Sequence, residues 1–121
     1  IEVQGAADDR DAELAARAVG NSPLVKTALF GRDPNWGRIA AALGRSGAKF
    51  DPDQVHIAIG GIVIFEHGLP KPGDLRALLG GTLRRQDIPI DISLGTGEGA
   101  YVLLASDLTY DYVKINAEYT T

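Results

Sequence analysis

The chain has no cysteine, no methionine and a single tryptophan in 121 residues. Without cysteine there are no disulfides and no thiolate-ligated metals, and the redox compartment is left open. No apolar run approaches about 20 residues, the length a helix needs to cross a bilayer, and no signal peptide is visible. Basic residues are few and scattered. Twelve Lys and Arg against sixteen Asp and Glu give a net charge of −4, with Arg84-Arg85 the only adjacent basic pair. That balance disfavours nucleic acid and anionic membranes as partners. With no methionine, a chain that opens Ile1-Glu2-Val3, as if in mid-strand, is expected to be a processing product, a trimmed domain or an excerpt.

What is present is ordinary globular material, 45% hydrophobic and 23% charged, and its length suits one domain with a real core. Ile1–Val3 reads as a short strand. Asp8 and Asp9 open a helix to about Val19, with Leu14, Ala15, Ala18 and Val19 on one face, and Gly20-Asn21 stops it. Leu24–Phe30 is apolar and reads as a buried strand. Pro34–Leu43 reads as a second helix ended by Gly44, with Asp33 as its N-cap and Pro34 in the first turn. Val55–Phe65 around Gly60-Gly61 fits a hairpin or a bulged single strand. Asp74 caps a short helix to about Leu79, and Ile88–Ile92 and Tyr101–Ala105 read as strands. The tail near Thr109–Asn116 reads as a weak helix or turn. The sum is a mixed α+β layer structure.

Candidate chemistry is thin. His56 sits in an apolar strand and reads as a surface-facing residue of the alternation. His67 lies beside Glu66 in a Gly/Pro loop, a spacing too short and isolated for a metal site, so no metal is expected. "GTGEG" (95–99) could cradle a phosphate only if a helix followed it. A strand follows, so a glycine hairpin turn is the better reading. In "DPNWGR" (33–38), Arg32 or Arg38 could fork a carboxylate, but capping and packing explain the segment more simply. The chain stops at Thr120-Thr121 behind Tyr110, Tyr112 and Tyr119, with Asn116 between them. C-termini usually fray, so an ending without slack suggests docked residues, which could grip an ammonium group but more commonly are a docked end with no ligand.

"SPLVKTALFGRDPNWGRIAAALG" together with the ending "DLTYDYVKINAEYTT" resembles the glutamate N-acetyltransferase family, or ornithine acetyltransferases, of arginine biosynthesis. The resemblance covers essentially the whole chain. It implies an α+β domain, a mixed β-sheet with helices packed on one side, forming the C-terminal part (1–121) of the β chain of an autoprocessed N-terminal-threonine acetyltransferase. In the family a precursor cleaves itself ahead of a threonine. That threonine then takes acetyl from N-acetylornithine and passes it to glutamate, releasing ornithine and N-acetylglutamate by a ping-pong route. Some members also accept acetyl-CoA, and a relative from clavulanic acid clusters performs similar transfer.

The same resemblance places the nucleophilic threonine upstream of Ile1, so no catalytic residue falls within the chain. The family's oxyanion threonine-glycine pair, its substrate-contacting lysine and a glutamate also fall outside it. Asn116 and Thr121 match the family's substrate-binding asparagine and terminal serine or threonine. No cofactor is implied. The implied partners are the α chain and the rest of the β chain in an α2β2 heterotetramer, in the cytoplasm, with no nucleic acid or membrane. A rival reading is a non-catalytic amino-acid-binding or interaction module of the same fold. The DPNWGR segment has no substrate role in the resemblance, and Arg32, Trp36 and Arg38 are expected to fix the helix start and its packing.

Overall fold

The computed structural model describes residues 1–118. The elements run β1 (Glu2–Ala6), α1 (Asp9–Gly20), α2 (Pro23–Phe30), α3 (Trp36–Gly44), β2 (His56–Ile59), β3 (Ile62–Glu66), β4 (Leu69–Pro70), α4 (Leu75–Leu79), β5 (Ile90–Ser93), β6 (Gly99–Val102) and α5 (Tyr110–Glu118), with short 3-10 turns at Pro52–Gln54 and Thr82–Arg84. The strands form one mixed sheet in the order β4-β3-β2-β5-β1-β6. Among the described residues only β1 and β5 pair in parallel; β1–β6, β2–β5, β2–β3 and β3–β4 are antiparallel. The expected α+β fold with a mixed sheet is what forms.

Alternation along the strands makes the sheet two-faced. Val3, Ile57, Ile59, Ile90 and Ile92 are buried and join one core with Ala12, Ala15, Ala16 and Val19 of α1 and Ile39, Ala42 and Leu43 of α3. Each fully buried Val, Leu or Ile contributes about 1.5–3 kcal/mol. The opposite face carries Glu2, Gln4, Asp91, Ser93, His56 and Ala58 in register and stays exposed or half-exposed. The period of two puts every second side chain on that uncovered face. No helix among the described residues is long and apolar enough to cross a membrane.

Several caps form where the local chemistry places them. The Asp8 carboxylate accepts from the Asp11 N–H at the start of α1, and that of Asp74 accepts from Ala77 N–H at the start of α4. Gly60 and Gly61, at φ +58° and +83°, make the two-residue turn of a hairpin between β2 and β3. The short strand β4 adds to that sheet edge from within the expected loop.

Three expectations about the elements and their caps fail. Leu24–Phe30 is not a strand but lies within α2, whose N-cap Ser22 accepts from Val25 N–H and whose first turn holds Pro23. A seven-residue apolar run has no period that separates a buried strand from a helix, so the cap decides. Val25 and Ala28, three apart, are its buried positions, and Leu24 points outward. The second correction is at α3. Asn35, not Asp33, is the N-cap, accepting from Arg38 N–H at 3.0 Å. The helix starts at Trp36, so Pro34 lies outside it, and Asp33 instead accepts from Asn35 Nδ2 at 3.1 Å.

The third correction concerns GTGEG, which is no hairpin turn. It joins β5 to β6, and β1 lies between those two strands. The loop passes around the end of β1, where the Gly5 carbonyl accepts from both Thr96 N–H (2.7 Å) and Gly97 N–H (2.9 Å). Gly5, at φ +69°, forms the bulge at which β1 slips one residue against β6, between Val3↔Tyr101 and Ala6↔Gly99. The slip keeps Ala6 on the buried face. At Gly99 a Cβ would collide with the backbone of Asp8, the residue that caps α1.

Trp36 stacks on Phe65, centroids 5.5 Å apart and planes at 26°, joining α3 to β3. Arg38 donates to the Leu24 carbonyl at 2.9 Å and joins α3 to α2. Both have the packing role expected of them. Arg32 does not, since it is exposed with a left-handed φ of +55° and follows the end of α2.

Two stability outcomes follow. Trp36→Ala removes the stacked indole from a half-buried site and should cost about 2 kcal/mol in urea unfolding, leaving substrate preference unchanged. A stable variant with altered preference would contradict this packing role. Gly99→Ala should cost about 1–3 kcal/mol by overpacking against fixed backbone, whereas Gly61→Ala, where a Cβ meets nothing within 4 Å, costs only the strain of its positive φ. Equal melting temperatures for Gly99→Ala and the parent would contradict the close approach.

Candidate functional site: the C-terminal helix

The helix expected near Thr109–Asn116 forms as α5. Thr109 starts it: its hydroxyl accepts from Tyr112 N–H at 3.1 Å and its carbonyl from Val113 N–H at 3.2 Å. The helix is joined to the body at its base. Tyr110 meets Phe30 of α2 edge-to-face at 5.1 Å, Lys26 Nζ donates to the Ser106 carbonyl at 2.9 Å, and Leu108 N–H donates to the Lys26 carbonyl at 3.3 Å. Beyond that base no residue of α5 is buried. Tyr112, Val113 and Ile115 are more than half exposed. An apolar helix surface of this kind is covered by another surface in the proteins that use it.

Asn116 stands on this helix, exposed to solvent. Its amide Nδ2 donates to the Tyr112 carbonyl at 2.9 Å. That bond orients the side chain and leaves Oδ1, with its two lone pairs, as an outward acceptor suited to an ammonium group. The other residue expected at the site, Thr121, lies outside the described residues, as does Tyr119. Of the two expected residues the structure therefore places Asn116, which is bonded within its helix to Tyr112.

Next to the base of α5 is a cleft of about 510 Å³ between the end of α2, the 83–88 segment and residues 105–107. Arg32, Arg84 and Arg85 line it together with Asp87 and Asp107. Of the two arginines that could fork a carboxylate, Arg32 thus lines this cleft, while Arg38 in α3 donates to the Leu24 carbonyl. Chain spacing gave no sign of it, because Arg32 and Arg84 are brought together only by the fold.

A second grouping was also hidden from chain spacing. The β2–β3 hairpin carries His56 back beside the β3–β4 turn, and the rings of His56 and His67 meet at 4.7 Å and 72°. Glu66 lies between them and Lys71, with Oε1 3.6 Å from His67 Nε2 and Oε2 3.3 Å from Lys71 Nζ. The Lys71 ammonium, with smaller help from His67 and His56, holds the Glu66 carboxyl below its ordinary range, so it is a carboxylate at neutral pH.

The pattern of the ArgJ family matches residues 1–121. Relatives carrying the name arginine biosynthesis bifunctional protein ArgJ include that of Nitratidesulfovibrio vulgaris, 53% identical over 98% of this chain and 30% of its own length. That of Thermus thermophilus is 49% identical over 100% of this chain and 31% of its own. The chain thus spans about a third of the length of these relatives. The crystal structure of the arginine biosynthesis bifunctional protein ArgJ from Bacillus halodurans superposes with a TM-score of 0.92 at 41% identity, over 98% of this chain and 55% of that one. A family pattern matched from first residue to last, and a fold shared with a solved member at that likeness, leave one conclusion: the chain belongs to the ArgJ family.

Proposed function

We propose that this domain is the C-terminal part of the β chain of an acetyltransferase of arginine biosynthesis, which moves acetyl from N-acetylornithine to glutamate. The observation that carries the reading is the family pattern running unbroken over residues 1–121, through the segment that sets Asn116 on an outward-facing helix. The nucleophile belongs to the rest of the protein, an N-terminal threonine whose own α-amine serves as base. Its hydroxyl oxygen attacks the acetyl carbonyl, an ester forms, the amide C–N bond breaks and ornithine leaves with its amine reprotonated. The amine of glutamate then attacks the ester, the threonine recovers its proton, and N-acetylglutamate departs. Splitting one acyl exchange into two steps lowers each barrier, and ping-pong kinetics are its signature.

In this scheme Asn116 and Thr121 hold the amino-acid part of the substrate. The apolar side of α5 packs against the α chain or the remainder of the β chain, in a cytoplasmic α2β2 assembly.

The complete protein tests this directly. Initial rates with both substrates varied should give parallel double-reciprocal lines. Asn116→Ala should lower kcat/KM about 10–100-fold, the effect of losing a hydrogen bond to a charged group, with the fold intact by circular dichroism. Removal of Thr120-Thr121 should abolish substrate binding while the domain still folds. Intersecting lines, or full kcat/KM in both altered proteins, would contradict the proposal.

A further inference from the structure

We propose that His56, Glu66 and His67 form a binding site for a divalent transition-metal ion of the borderline class, zinc above all. One donor atom from each residue lies within 4.8 Å of the other two. Imidazole and carboxylate are a donor set that suits zinc, and ligands about 2.0–2.1 Å from a tetrahedral ion stand roughly 3.3 Å apart. Glu66 Oε1 and His67 Nε2, at 3.6 Å, already have nearly that separation. His56 and Glu66 are half-exposed and His67 is exposed, so small side-chain rotations close the remaining distance without disturbing the core.

Two further contacts set these ligands in the arrangement a metal uses. His56 Nδ1 lies 3.1 Å from the Gln54 carbonyl. A carbonyl only accepts, so Nδ1 is the donor in this contact, and in the neutral ring Nε2 keeps the lone pair. Metal-bound histidines are commonly oriented in this way, by a carbonyl on the other ring nitrogen. Glu66 is treated similarly: Lys71 occupies Oε2 at 3.3 Å and leaves Oε1 to the histidine side. A single-oxygen carboxylate ligand steadied by an ammonium follows, with water completing the coordination.

The expectation of no metal rested on the adjacency of residues 66 and 67, whereas the third ligand arrives through the hairpin. The bound ion would clip the start of β2 to the β3–β4 turn at the edge of the sheet. The proposal does not rest on acetyl transfer, and its test reads binding, not activity.

The complete protein, stripped with a chelator, is titrated with Co2+ and followed by its visible ligand-field bands, then with Zn2+ as competitor. The expected result is one ion per copy of this domain, with affinity falling at least tenfold in His56→Gln and again in His67→Gln. Absence of one-to-one binding, or undiminished binding in the double variant, would overturn the proposal. Should the variants fold poorly, the unaltered protein decides alone. Zn2+ should protect both His56 and His67 from diethylpyrocarbonate, read by peptide mass, and equal labelling with and without the ion would overturn it.

Discussion

The insertion of β1 between β5 and β6 is the constraint on which the rest of the domain depends. β1 pairs in parallel with β5 and antiparallel with β6, so two segments roughly ninety residues further along the chain close around it. Its Gly5 carbonyl holds the 95–97 loop through two N–H groups, and its Val3 and Ala6 side chains are wholly buried. Helix α1 can lie close to this seam because its inward positions are Ala12, Ala15, Ala16 and Gly20. At Gly20 even a Cβ would press on Leu103 at 2.6 Å. The α1 start is tied to β6 as well, since Asp9 accepts from Ala100 N–H at 3.1 Å.

That seam leaves the domain one-sided. The helices cover one face, so the polar row of Glu2, Gln4, Asp91, Ser93 and His56 remains open on the other. At one flank α5 leaves the body with its apolar side chains uncovered. The relatives it matches are about three times as long. The proposed substrate contact and the proposed metal clip occupy different parts of this arrangement. Asn116 lies on the outlying helix, and His56, Glu66 and His67 lie at the hairpin edge.

How much of this was legible in the sequence depends on how local each cause is. Asp8, Asp74 and Gly60-Gly61 act within three or four residues, and the elements they predict formed. Ser22-Pro23 is also a local signal, a cap followed by a first-turn proline, which the reading of Leu24–Phe30 as an apolar strand left unused. Asp33 beside Pro34 looked like a cap, yet Asn35 accepts the helix amide, because the chain turns once more before α3 begins. GTGEG misled for a deeper reason: a glycine loop between two strands implies a hairpin unless a third strand lies between them, and β1 comes from the far end of the chain. The site divides in the same way. Asn116 was reached through family resemblance and not through any local pattern, and Thr121 lies outside the described residues. The grouping of His56 with His67 could not be seen before the hairpin was folded.

The central claim is that this domain serves a covalent acetyl relay. The measurement that tests it most directly is the intact mass of every chain in the native protein, before and after incubation with N-acetylornithine and an acid stop. The account predicts that a longer chain ending in INAEYTT, with threonine at its start, gains a single acetyl group and loses it when glutamate is added. If no chain in the preparation gains that group, the relay is absent, and the domain would be an amino-acid-binding or interaction module on the same fold.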